Sequence, residues 1–363
     1  MKFKFLVTTP LQETWPKKDD KIIFIGEWCK LFDNKSNWLN LDYETLDYHW
    51  DDRKKLENDY YYLLDFYEET IKALSIKMNE IHDVNFSLKY WKTLLGPWLS
   101  LLIHSVFDRW EMVQVAISSN HNLRANIIIE DYTQWIAFNQ RKFQKLVMED
   151  DGWNNFIYNK IIELENDKIL INKLYPIKTN NDNKFVKDDK KALLWKVYHR
   201  LVNSFSFKRS VLIISSYLNK IDEIILSFKI GQLPFFFNPY STKIFTPEKK
   251  LRNWKIKKKP NSRFEKFILD MIPKQIPTIY LEGYKSLDKR IKIFNCKKNP
   301  RSFFTSNSIH IDEVFQHFIG INESSTLVIG QHGGSYGITK LHFFEYHELS
   351  ITDKFISWGW SNN

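Results

Sequence analysis

Four short apolar runs, at residues 3–8, 21–25, 211–215 and 326–329, each end in turn-forming, polar or glycine residues, and a fifth such run lies at 355–357. Long helical patterns separate them. Near-continuous apolar strands spaced by helices predict an open parallel sheet covered on both faces rather than an antiparallel sandwich. The expected fold is therefore α/β, a Rossmann-like parallel sheet. Between the second and third runs, Leu56, Tyr60, Leu63, Tyr67, Ile71, Leu74, Met78 and Ile81 recur at alternating spacings of three and four, which predicts one long amphipathic helix. Leu88, Trp91, Leu95, Trp98 and Leu102 repeat the spacing, with a kink or restart expected at Gly96-Pro97. Further helical patterns at 132–147 and 191–202, separated by a polar loop at 178–191, extend this into a large helical insertion over about 51–205 of a single domain spanning 1–363.

The charge is unevenly placed. Of 53 Lys and Arg against 43 Asp and Glu in the 363 residues, residues 241–300 hold 17 against 5, a balance of +12, which leaves the remainder at 36 against 38. The densest part, 249–259, has the composition to meet phosphates, nucleic acid or an anionic membrane. A solvated, mobile basic loop is the commoner form of such a run. Two cysteines, Cys29 and Cys296, make neither a disulfide framework nor a four-thiolate zinc site, which fits a reducing cytoplasm. The longest apolar stretch, 94–107, contains Gly96, Pro97 and His104 and falls well short of the roughly 20 residues that span a bilayer.

In open parallel sheets, ligands sit beyond the carboxyl ends of the strands. That rule selects Thr8, Thr9 and Glu13 after the first run, Glu27 and Trp28 after the second, Ser215 and Ser216 after the third, and Gln331, His332, Gly333, Gly334, Ser335, Tyr336 and Gly337 after the fourth. Three of the chain's 11 glycines crowd the last turn, where the backbone is expected to need positive φ or to approach a ligand closely. His332 beside it suits acid–base work or phosphate binding. The bland alternative is a strand-to-helix turn with a hydrogen-bonded histidine, since the glycine spacing fits neither the dinucleotide fingerprint nor a P-loop. Glu13 and Glu27 are candidate bases, acceptor ligands or helix-cap neighbours. Asp108-Arg109-Trp110 and the run from His49 to Arg53 combine charge with indole, a composition that suits sugar rings, although salt-bridged structural roles are commoner in helices. His342 and His347, five apart, miss the spacing of a helical metal pair, so no metal is expected.

Six motifs in order carry a resemblance: Phe5-Leu-Val-Thr-Thr-Pro-Leu-Gln-Glu-Thr-Trp15, Phe24-Ile-Gly-Glu-Trp-Cys29, Tyr90-Trp-Lys-Thr-Leu-Leu-Gly-Pro-Trp98, Phe107-Asp-Arg-Trp110, Val328-Ile-Gly-Gln-His-Gly-Gly-Ser-Tyr-Gly337 and Ile356-Ser-Trp-Gly-Trp360. Together they resemble a family of transferases found in O-antigen and surface-polysaccharide gene clusters. Gln331-His332-Gly333 and Trp358-Gly359 are also similar to two features of the N-terminal, acceptor-side half of GT-B-like transferases of capsule and teichoic-acid assembly. The resemblance implies the first half of such an enzyme, with a C-terminal donor-binding domain expected to be absent or supplied by a partner.

The activity it implies is glycosyl transfer from a nucleotide sugar to a polysaccharide or lipid-linked acceptor, cytoplasmic or peripheral at the inner membrane face through 241–300. His332 is the first catalytic candidate and Glu13 the second, as base for the acceptor hydroxyl. Thr9, Glu27, Gln331, Gly333, Gly334, Ser335 and Tyr336 are the candidate ligand-binding residues. Lys, Arg and helix N-termini would stand in for a metal or other cofactor. The competing readings are a non-catalytic acceptor-binding module and, more weakly, a basic RNA-binding protein, for which no RNA-binding signature is present.

Overall fold

A computed structural model describes residues 3–17, 21–119, 122–175, 211–232, 234, 244–291 and 300–361. The α/β class and the all-parallel pairing expected from the sequence are both present, but the strands divide between two sheets rather than sharing one. The first sheet holds β1 (Lys4–Val7), β2 (Lys21–Phe24), β3 (Tyr43–Thr45), β4 (Leu123–Ile128) and β5 (Ile169–Leu174), in the order β3-β2-β1-β4-β5. The second holds β6 (Val211–Ile214), β7 (Ser302–Thr305), β8 (Thr326–Gly330) and β9 (Lys354–Ile356), in sequential order. Every pairing is parallel.

β4 and β5 fall inside the stretch read as a helical insertion. They escape a search for apolar runs because β4 alternates buried and half-buried residues, while β5, at the sheet edge, buries only Ile169. β3 and β7 are too short and too polar to stand out. The predicted helix at 191–202 and the loop at 178–191 lie outside the described residues.

The long helical hairpin is present. Helix α1 (Arg53–His82) starts where the Asp52 carboxylate accepts from the Lys54 and Lys55 amides, and ends at Asp83 with φ +54°. Its buried side chains include Leu63, Tyr67, Ile71, Leu74 and Met78, as the spacing predicts. Helix α2 (Leu88–Ser118), capped by Ser87, runs unbroken through Gly96-Pro97. The restart does not occur: proline forfeits a single helical hydrogen bond, and here α2 is buried on nearly all sides between the two sheets' helices.

The remaining helices are α3 (Gln140–Glu149), α4 (Asp151–Leu164), α5 (Lys220–Lys229), α6 (Arg263–Gln275), α7 (Tyr284–Arg290), α8 (Ser308–Ile311), α9 (Glu313–Gly320) and α10 (Phe343–Ile351). A parallel sheet in sequential order with right-handed crossovers carries its connecting helices on one face. That face of the second sheet meets α2 through α9 and α10, while α3 and α4 bring the first sheet's side to the same helix. Among the described residues, no helix is long and apolar enough to cross a membrane.

The basic segment is docked rather than free where it is described. Arg252, fully buried, pairs with Glu282 at 2.7 Å and also donates to the Pro273 and Ile276 carbonyls. Lys249 reaches Asp131, Lys258 reaches Glu69, and Arg263 reaches Glu165. Cys29 is also buried; its thiol lies 3.5 Å from the Val7 carbonyl, and burial pushes its pKa up to about 12, so it is no nucleophile.

Candidate functional site

Two clusters stand at strand carboxyl ends, one on each sheet. The first is a cavity of about 670 Å³ beyond β1, β2 and β3. Gly26 shapes one wall: a Cβ there would lie 2.3 Å from the Trp28 ring, so only glycine lets the indole fold back over its own backbone. From that position Trp28 Nε1 donates to the Thr8 carbonyl at 3.2 Å. Thr9 is buried on the wall; its hydroxyl accepts from Asn155, and its carbonyl accepts from Trp15 Nε1. Glu27 stands exposed at the mouth, paired with Lys30.

The floor comes from α2. Asp108 accepts from the Tyr48 hydroxyl at 2.8 Å and also meets His49 Nε2 at 3.2 Å and Arg109 at 3.2 Å. Arg109 is fixed in turn by Asn154 at 2.6 and 2.8 Å and by the Ser105 carbonyl at 2.7 Å. Asp47, Asp51 and Asp151 add three carboxylates to the lining. Burial, with Asp150 next to it, raises the Asp151 pKa. Burial and the Asp108 charge raise that of Tyr48, which stays protonated as a donor.

The second cluster forms where β6, β7 and β8 end. Ser215 and Tyr217 have φ of +52° and +61°, an uncommon conformation for non-glycine residues that tends to collect at functional sites. The Tyr217 ring lies parallel to His332, at 6.3 Å between centroids. Gln331 is spent on structure: its amide oxygen accepts from Trp358 N at 2.9 Å and Trp360 Nε1 at 2.8 Å, and its amide nitrogen donates to the Gly333 carbonyl. This ties the His-Gly-Gly turn to the Trp-Gly-Trp segment. Of the three glycines, only Gly337 has positive φ, +74°, with the Trp360 ring packed where a side chain would be. Nothing lies near the position a Cβ would take on Gly334, so the turn is open there.

His332 faces a buried carboxylate. Glu348, fully buried on α10, is hydrogen-bonded to His310 Nε2, accepts from the Tyr336 hydroxyl at 2.7 Å, and stands 3.6 Å from His332 Nδ1. Burial holds the His332 imidazole below its ordinary range, against the pull of Glu348, so the ring is neutral at pH 7. Ser335 bonds His342 at 3.1 Å.

The structure thus places Thr9 and Glu27 at the first site, and Gln331, His332, Gly333, Gly334, Ser335 and Tyr336 at the second. Glu13 belongs to neither: it is exposed on the turn Gln12–Thr14 and does not line the cavity. His310 and Glu348 were not singled out from the sequence. The signal for His310 was its place just after a strand, but β7 itself was not recognised. Glu348 lies mid-helix, with nothing local to mark it.

The chain matches the LIC12162 family transferase over residues 4–363 and belongs to that family. No curated protein and no solved structure matches it.

Proposed function

We propose that this transferase moves a glycosyl group from a nucleotide-activated sugar to a hydroxyl of a surface-polysaccharide acceptor, its two sheets acting as the two halves of a GT-B-like enzyme. The observation that carries this reading is the opposite chemistry of the two strand-end sites. Glu27, Asp47, Asp51, Asp108 and Asp151 face the first cavity against one arginine. Such a lining repels phosphate and accepts hydrogen bonds from hydroxyls, while Trp28 and Tyr48 offer flat apolar faces to a sugar ring. The volume lies within the range of small-molecule sites. The acceptor binds there.

The second edge offers imidazole, hydroxyls and an open glycine backbone, groups that suit donor phosphates. The two sites hang on one helix. Four residues before Asp108, about 6 Å along the axis, His104 stacks on Phe343 at the start of α10, with ring centroids 4.4 Å apart. In the reaction an acceptor hydroxyl oxygen bonds to the anomeric carbon, and the bond from that carbon to the phosphate oxygen breaks. The proton passes to Asp151, whose raised pKa suits a base, and His332 donates a hydrogen bond to the departing phosphate.

Titration of the chain with CMP-, UDP-, GDP- and dTDP-sugars, by calorimetry or NMR, tests the reading. One nucleotide class should bind, and His332→Ala should weaken it about tenfold, the cost of one lost hydrogen bond to a charged group. Binding by no nucleotide sugar, or binding indifferent to the substitution, overturns it. The basic segment adds a membrane contact through exposed lysines such as Lys257, which is 82% exposed, at about 1 kcal/mol each. Flotation with anionic vesicles should exceed that with neutral ones.

A further inference from the structure

His310, His332 and Glu348 come from three separate elements, and each brings one nitrogen or oxygen to within 4.8 Å of the other two. We propose that these three side chains hold a divalent transition-metal ion, Zn2+ by the chemistry of the set, at the carboxyl edge of the second sheet. The proposal stands on these residues alone and does not depend on which group the enzyme transfers. It departs from the metal-free site expected from the sequence.

Three observations carry it. Two imidazoles with one carboxylate, leaving a fourth position for water or a substrate oxygen, form a donor set typical of catalytic zinc. Ligands at about 2.1 Å around a tetrahedral ion stand roughly 3.4 Å apart, and the 3.6 Å between His332 Nδ1 and Glu348 already matches that spacing. The His310–Glu348 contact opens to it by side-chain rotation.

Second, Glu348 is a fully buried carboxylate that forms no ion pair with lysine or arginine among the described residues, and its Oε2 has no hydrogen-bond partner. A buried anion so placed is costly unless a cation joins it. Third, burial is uneven across the three ligands. His310 and Glu348 are buried, while His332 is half-buried beside the open Gly334, so the cluster is most accessible from the turn where a phosphate would arrive. The Tyr336 hydroxyl, donating to Glu348 at 2.7 Å, orients the carboxylate, as outer partners of metal ligands do.

The same three residues without a metal would be a hydrogen-bonded His–Glu pair with His332 as a bystander, and the experiment separates the two. The full chain is stripped of metal and titrated with Co2+, followed by Zn2+ in competition. One equivalent of Co2+ should bind with the intense visible bands of a four-coordinate ion, and Zn2+ should displace it. His332→Ala and Glu348→Gln should each weaken binding on the order of 100-fold or more, the upper end of what even outer-shell losses cost. No stoichiometric binding, or binding unchanged in both variants, overturns the proposal. Thermal melts accompany both variants; if Glu348→Gln does not fold, the half-buried His332→Ala decides alone.

Discussion

Beyond β1 and β2 the charged groups facing the cavity are carboxylates steadied by one guanidinium, whereas beyond β8 imidazoles gather round one buried carboxylate. The backbone frame is the same in both places, parallel strands ending in short turns. At each edge the side chains of the strand-end turns are joined by others from more distant helices: Asp108 and Arg109 from α2, Glu348 from α10. Topology fixes where a ligand can sit, and the helices delivered to that edge decide what it can be.

The largest test of that contrast is catalytic. Asp151→Asn should lower kcat by about 100-fold or more, as loss of a general base does, with little change in nucleotide-sugar binding. His332→Ala should instead weaken that binding. Steady-state kinetics joined to calorimetry would show it, and two variants failing on the same substrate would collapse the division between the sites.

Next in size is the acid response of the ring that links them. Burial lowers the pKa of His104 from an ordinary 6.5 to about 4. The unfolded chain therefore takes up a proton near pH 6.5 that the folded one refuses until about pH 4. Stability is fully present above the unfolded value and is lost as pH falls through this window, by about 3 kcal/mol for this ring. His82, also lowered to about 4 by burial, adds a second loss in the same window. Asp312 and Glu313, raised by burial to about 6 and about 7, push the other way over the same range, so the test is a difference: in denaturant melts at pH 7.5 and 4.5, His104→Gln should lose less stability on acidification than the unaltered protein, by about 3 kcal/mol.

A smaller effect concerns packing between the halves. An alanine Cβ at Gly96 would stand 2.4 Å from His347 Cε1 and 2.7 Å from the Tyr67 hydroxyl, so Gly96→Ala should cost about 2 kcal/mol by overpacking. An unchanged melting temperature would mean that α10 moves freely against α2. The smallest expected effect is at the first site alone. Trp28→Ala should weaken acceptor binding roughly fivefold, about 1 kcal/mol for one lost ring face, and leave nucleotide-sugar affinity untouched.

What could be read from the sequence followed burial. β1, β2, β6 and β8 are mostly buried and stand out as apolar runs, and the α1 seam shows in its spacing because one face packs on α2. β5 did not show, because an edge strand has little to bury. The restart expected at Gly96-Pro97 failed for a tertiary reason: surrounding helices bury that turn and keep α2 continuous. At the sites, residues on strand-end turns were legible. His310 and Glu348 were not, because they meet His332 only after the chain has folded back across β7 and α10. Gln331 was legible, but its hydrogen bonds to Trp358 and Trp360, which tie two segments together, were not.

Helix α2 is 31 residues long, about 46 Å from end to end. On its way it pairs Lys92 with Glu68, seats His347 at Gly96, stacks His104 on Phe343 and presents Asp108 to the cavity. A recombination event that exchanged one half of this gene for a relative's would set a foreign surface against that helix where His347 and Phe343 meet it, while Glu68 and the cavity residues lie in the helix's own half. The two halves are therefore bound to be inherited together, and a new specificity would have to arise by substitution at the turns rather than by trading a whole half.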